Sequence, residues 1–131
     1  MAEEGMDLKP EFRVVIAGSR SFKDLGLMRA KCDSILTSKA LTHMVVIISG
    51  TAGGADRLGE EYGQERGFEV RRFPADWERY KKRAGIIRNQ QMLDVADAVI
   101  VFWNGISPGS ENMASIAEAK GTPLRVIRFQ A

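Results

Sequence analysis

The chain has 131 residues, 44% of them hydrophobic, which is enough to bury one core and too little for two domains. Nineteen Lys and Arg against seventeen Asp and Glu leave a formal charge of +2, too small to draw nucleic acid or acidic membrane to the whole molecule, so any anion selectivity must be local. A lone cysteine excludes an internal disulfide, no apolar stretch approaches the roughly 18 residues of a membrane span, and the acidic opening lacks the features of a signal peptide, predicting a reducing, cytoplasmic setting.

Residues 1–11 read as a mobile tail, followed by a single domain over 12–131 in which apolar runs and helical patterns alternate. The runs predict β1 at 12–17, β2 at 44–49, β3 at 68–73, β4 at 98–103 and β5 at 124–129. Between β1 and β2 a first helix starts near Asp24, a suitable N-cap, with Leu25, Met28, Cys32, Ile35 and Leu36 on one face. The second helix follows Gly53-Gly54, buries Ala55, Leu58 and Tyr62, and ends at Gly67; Gly59 and Gly63 inside it predict close packing against a neighbour. A third runs from about Ala84 to Ala96. The fourth has Ser107 as N-cap, Pro108 at the first helical position, Met113, Ile116 and Ala117 inward, and Gly121 as its stop.

Val14-Val15-Ile16, Val45-Val46-Ile47-Ile48 and Val99-Ile100-Val101-Phe102 are apolar on both faces, as central strands covered by helices on both sides must be. The runs around Arg71 and Arg125 carry charge, which suits sheet edges. The expected fold is therefore α/β, a Rossmann-like three-layer sandwich on a five-stranded, mainly parallel sheet of order 3-2-1-4-5. Such a sheet places a crevice where the chain leaves β1 and β4 in opposite directions.

Three strands empty into glycine-bearing turns: Gly18-Ser19-Arg20, Gly50-Thr51-Ala52-Gly53-Gly54 and the turn Asn104-Gly105-Ile106-Ser107-Pro108-Gly109-Ser110. Turns of this kind at the carboxyl edge of a parallel sheet present backbone N–H groups suited to phosphate. Gly18, Ser19 and Arg20 offer amides, a hydroxyl and a cation to an anion; the alternative is a tight turn with a solvated Arg. Gly50, Thr51, Gly53 and Gly54 let a ligand approach the backbone, while Asp56 either caps the second helix or accepts from a ribose hydroxyl. Gly85, Arg88, Asn89 and Met92 fall at i, i+3, i+4 and i+7, an unusual face for a core, with Ile86 and Leu93 on another. Trp77 or Trp103 either stacks on a base or anchors the core. The run Arg79-Tyr80-Lys81-Lys82-Arg83 is either a solvated basic face or a nucleic-acid contact.

No lysine follows the 50–54 glycines as a Walker A motif needs, and Arg20 stands where GxGxxG has its second glycine, which argues against ATP hydrolysis and hydride transfer. One histidine and one cysteine make no zinc cluster, so neither a metal nor a cofactor is expected.

The blocks GSRSF at 18–22, SGTAGGAD at 49–56, FPADW at 73–77, AGIIRNQQM at 84–92 and FWNGISPGSENM at 102–113 together resemble the YspA-type branch of the SLOG superfamily. The resemblance covers almost the whole domain. It implies a Rossmann-like fold binding nucleotides or nucleotide-derived molecules, in a superfamily that includes LOG-type phosphoribohydrolases and the DNA-binding protein DprA. It also implies a homodimer or larger assembly, with the Gly59/Gly63 surface or the third helix as contacts. The RNxxM of 88–92 is similar to the RKxxM element of LOG-type enzymes, which implies that Arg88 holds substrate. Gly109 and Ser110 match the superfamily's phosphate-holding Gly-Thr step, and Asn104 opens the same turn.

LOG-type hydrolases carry a catalytic Glu three residues beyond that Thr, in PGGxGTxxE. The corresponding position here is Met113, Glu111 is displaced from it by about 200° around a helix, and Gly105-Ile106-Ser107 replaces PGG. An oxocarbenium-like transition state needs a carboxylate close to the sugar. The expectation is a module that captures a phosphorylated, nucleotide-derived ligand, ADP-ribose-like or cyclic, for sensing or sequestration. The alternatives are a nucleotide N-glycosidase using Glu111, Asp56 or Asp76, and single-stranded DNA binding through 79–83.

Overall fold

The computed structural model describes residues 9–130. The expected tail therefore lies mostly outside the described residues, and its last residue, Glu11, already pairs with Met44. Five strands form one sheet: β1 (Glu11–Gly18), β2 (Met44–Ser49), β3 (Glu69–Arg72), β4 (Ala98–Trp103) and β5 (Leu124–Arg128). Their order is β3-β2-β1-β4-β5, and every neighbouring pair is parallel. The helices are α1 (Leu25–Leu36), α2 (Ala55–Glu65), the single turn α3 (Trp77–Tyr80), α4 (Ala84–Val95) and α5 (Pro108–Lys120). Sequence periodicity is silent on α3 and on the 3-10 turn Lys81–Arg83 that follows it, because neither is long enough to show a repeat.

Side-chain alternation along β1 builds two cores from one strand. Val14 and Ile16 join Phe22, Met28, Cys32 and Tyr62 on the face covered by α1 and α2. Val15 and Ala17 point the other way, to Met92 and Leu93 of α4 and Met113 and Ala117 of α5. Burial on both faces is why the central strands are apolar throughout. Cys32 is fully buried, and burial pushes its thiol up to about 12.

The helix ends follow local chemistry. Asp24 Oδ1 accepts from the Leu27 N–H at 2.9 Å and starts α1. The Phe68 N–H returns to the Gly63 carbonyl and the Gly67 N–H to that of Gln64, closing α2 with Gly67 at φ 75°. Gly59 and Gly63 set α2 against the sheet: a Cβ on the first would lie 2.8 Å from Ile16 Cγ2, and on the second 2.8 Å from Ile47 Cγ1. Both glycines are thus consumed by packing within the chain and give no surface to a second copy. Among the described residues no helix is long and apolar enough to cross a membrane.

Candidate functional site

β1 and β4 lie side by side, β1 feeding α1 on one face and β4 feeding α5 on the other. Between their carboxyl ends opens a cavity of about 610 Å³. Gly18, Ser19, Arg20 and Ser21 form one wall, and Asn104, Ser107 and Pro108 through Ser110 the second. α4 supplies Gly85, Ile86, Arg88, Asn89 and Met92, while Ala17, Ala52, Asp56, Trp77 and Lys82 complete the lining with Asn112 and Met113 of α5.

Three serine hydroxyls bridge the two turns in a fixed order. The Asn104 N–H donates to Ser19 Oγ at 3.0 Å, Ser19 Oγ lies 2.7 Å from Ser107 Oγ, and Ser107 Oγ donates to Ser110 Oγ at 3.1 Å. Each hydroxyl has one proton. Since the proton of Ser107 goes to Ser110, the short contact is filled by Ser19 donating to Ser107. The proton of Ser110 then meets no acceptor among the described residues, although Ser110 is only 6% exposed and lines the cavity. That proton is available to an acceptor in the cavity.

The end of α5 adds to that supply of donors. Ser107 occupies the N-cap position with Pro108 next, and its hydroxyl, which donates to Ser110, accepts from no backbone N–H of the helix. The Gly109 and Ser110 amides belong to the first helical turn, where N–H groups lack intrahelical partners. Asn104 holds the turn by accepting from the Ile106 and Ser107 N–H groups, both at 2.9 Å. Trp103 anchors it from behind, its indole N–H donating to the Ser107 carbonyl at 3.0 Å with Arg128 over the ring. Of its two sequence readings, stacking or anchoring, the structure shows anchoring.

Arg88 is held in place before any ligand arrives. Its Nη1 donates to the Gly50 carbonyl and its Nε to Asn89 Oδ1 at 3.1 Å. Asn89 passes the restraint to α5 by donating to the Gly109 carbonyl and to Asn112 Oδ1. Burial lowers the Arg88 pKa from its usual value, with the charge of Asp56 opposing the shift and that of Arg20 adding to it. Among the described residues neither Arg20 nor Arg88 forms an ion pair, whereas Arg13, Arg29, Arg66, Arg71 and Arg72 all do.

Asp56 is 5% exposed and its carboxyl is raised to about 6, chiefly by burial, against the lowering effects of the Ala52 N–H and of Arg88. Asp56 Oδ2 accepts from the Ala52 N–H at 3.0 Å. It does not cap α2, whose N-cap position is Gly54. No buried side-chain oxygen or nitrogen among the described residues lacks a partner, so the unbonded Oδ1 opens to the cavity that Asp56 lines.

The structure thus gathers Gly18, Ser19, Arg20, Asp56, Trp77, Arg88, Asn89, Met92, Asn104, Gly109 and Ser110 around one cavity. Gly50, Thr51, Gly53 and Gly54 are not in its lining. Gly54, at φ 69°, lies where a Cβ would meet the Ser19 and Arg20 carbonyl oxygens at 2.4 Å, so it buttresses the first turn. The Thr51 N–H donates to Ser49 Oγ, which in turn donates to Glu60. Glu111 and Asp76 also lie outside; Asp76 caps α3 by accepting from the Arg79 N–H at 3.1 Å. Sequence reasoning missed Ser107, read only as a cap, and Lys82, hidden in a basic run. It also placed Ile86 off the site face, whereas Ile86 lines the cavity mouth at 57% exposure.

A family model described as the YspA, cpYpsA-related SLOG family matches residues 12–80. The Gene 61 protein of Mycobacterium phage D29 is 33% identical over 119 residues, covering 86% of this chain and 93% of that protein. DNA processing protein A from Helicobacter pylori, whose structure is described for its single-stranded DNA binding mode, superposes with a TM-score of 0.65 at 20% identity. That match covers 93% of this chain and 67% of the other, and at this identity it shows a shared fold alone.

Proposed function

The chain belongs to the YspA, cpYpsA-related SLOG family, and from that premise we propose that its cavity binds a phosphorylated, nucleotide-derived small molecule for sensing or sequestration. The observation that carries the reading is the unspent proton of Ser110 beside the free amides of α5, in a cavity whose two arginines pair with no carboxylate among the described residues. A phosphate satisfies all of these at once: it accepts from the hydroxyl and the amides, and it neutralises a guanidinium that burial disfavours.

Titration calorimetry of the purified protein with AMP, ADP-ribose and a cyclic dinucleotide tests this. At least one should bind. Arg88→Ala should weaken that binding about ten-fold or more while leaving the domain folded, the loss expected for one charge-assisted contact. Absence of binding by every probe would reject the reading, and unchanged affinity would remove Arg88 from it.

A second reading, N-glycosidic hydrolysis, is favoured by one observation. Of Glu111, Asp56 and Asp76, only Asp56 lines the cavity, with a free oxygen and a pKa of about 6. Mass spectrometry of the bound molecule separates the two: intact ligand supports capture, and released base supports hydrolysis. Binding of an oligodeoxythymidine that weakens steeply with salt would instead assign residues 79–83 to single-stranded DNA.

A further inference from the structure

Gly85, the second residue of α4, lines the cavity without filling it. A Cβ placed on it would lie 3.6 Å from Cη2 of Trp77 and 3.9 Å from Nη2 of Arg88. No other atom outside its own helix backbone and chain neighbours comes within 4 Å. The missing side chain therefore leaves a gap with the indole of Trp77 on one side and the guanidinium of Arg88 on the other.

Both walls are prepared for contact. Arg88 has Nη1 committed to the Gly50 carbonyl and Nε to Asn89, which leaves Nη2, the nitrogen beside the gap, without a partner among the described residues. Trp77 is 52% exposed and Ile86, next in sequence to Gly85, 57% exposed. Both line the cavity. Apolar surface at the mouth of a polar site gains by being covered, and a flat ring covers it best: indoles stack on heterocycles, and guanidinium planes do the same.

We propose that the gap over Gly85, between Trp77 and Arg88, is the subsite for the planar heterocycle of the ligand, and that the absent side chain of Gly85 is what determines this specificity. The proposal rests on the binding reading above, with phosphate at the Ser110 end of the cavity. A methyl group at position 85 is tolerated at ordinary van der Waals distance from both walls. A longer side chain grows into the space between them.

The test compares AMP with ribose 5-phosphate, which differ only in the base, by calorimetry on the wild type, Gly85→Ala, Gly85→Leu and Trp77→Ala. The wild type should bind AMP about ten-fold or more tighter than ribose 5-phosphate, the scale of one base stacked on an aromatic. Gly85→Ala should keep most of that ratio, while Gly85→Leu and Trp77→Ala bring it to within about two-fold of unity. Leucine is the better helix former, so the melting temperature of Gly85→Leu should not fall. AMP should also quench tryptophan emission in the wild type and not in Gly85→Leu. A ratio of unity in the wild type, a full ratio in Gly85→Leu, or an equal loss of both ligands there overturns the heterocycle subsite while phosphate binding stands. Failure of both probes on the wild type overturns the heterocycle subsite, and it overturns the binding reading as well only when ADP-ribose and the cyclic dinucleotide also fail.

Discussion

The turn after β4 keeps donors at the cavity, the proton of the Ser110 hydroxyl, which itself accepts from Ser107, and the first amides of α5, which have no intrahelical partner. The turn after β2, richer in glycine, spends its polar atoms inside the protein. The Gly50 carbonyl accepts from Arg88, the Thr51 N–H donates to Ser49, the Ala52 N–H donates to Asp56, and Gly54 leaves room for the carbonyls of Ser19 and Arg20. One turn is a binding surface and the other the scaffold that aims it. Glycine content does not separate them; the fate of their hydrogen-bonding groups does.

The largest effect should come from the scaffold. Gly54→Ala puts a Cβ 2.4 Å from two backbone carbonyl oxygens at a φ of 69°, and backbone atoms cannot swing aside, so a loss of about 3 kcal/mol or more in urea unfolding is expected. Gly109→Ala is the matched control in the other turn: nothing lies within 4 Å of its Cβ, and stability should change by less than about 1 kcal/mol. Equal losses in the two variants would erase the distinction between the turns.

Asp56 sharpens the comparison through pH. Its folded pKa is raised from 3.8 to about 6. The neutral carboxyl is therefore favoured by folding, and its contribution is fully present below the ordinary carboxylate pKa and lost as pH rises through about 6. Roughly 2 kcal/mol should be lost between pH 4 and pH 8. Asp56→Asn keeps an acceptor for the Ala52 N–H without the charge, so it should be more stable than the wild type by about that amount at pH 8 and indistinguishable near pH 4. Denaturant unfolding at both values checks this, and a pH-independent difference would contradict it.

The smallest effect belongs to the serine chain. Ser107→Ala removes the middle hydroxyl and with it the donor that orients Ser110, which should lower affinity for AMP about five-fold. Ser107→Thr, which keeps a hydroxyl, should restore most of it. Unchanged calorimetry for the alanine variant would show that the proton order contributes nothing to anion binding.

Much of the site was readable in advance because its parts lie at predictable edges. Arg20 and Ser110 follow strands, and the i, i+3, i+4, i+7 spacing of Gly85, Arg88, Asn89 and Met92 put all four on the wall that faces the crevice. Ser107 was missed because in its N-cap position it looks like any helix cap, and Asp56 kept two readings because an Asp in a first helical turn looks like any dipole partner, until the acceptor or donor that each side chain meets is known.

Local signals in the chain determined the framework: doubly apolar runs for the central strands, charged runs for the edges, Asp24 and Gly67 for helix ends, and from these the strand order. Tertiary structure alone decided which polar atoms stay available, because Ser19 and Ser107 meet across 88 positions and Gly54 meets the carbonyls of a turn more than thirty residues earlier. Strand and helix periods repeat within a few residues and are written in neighbouring positions. A hydrogen bond between distant turns has no period, and it exists only once the sheet has brought its two ends together.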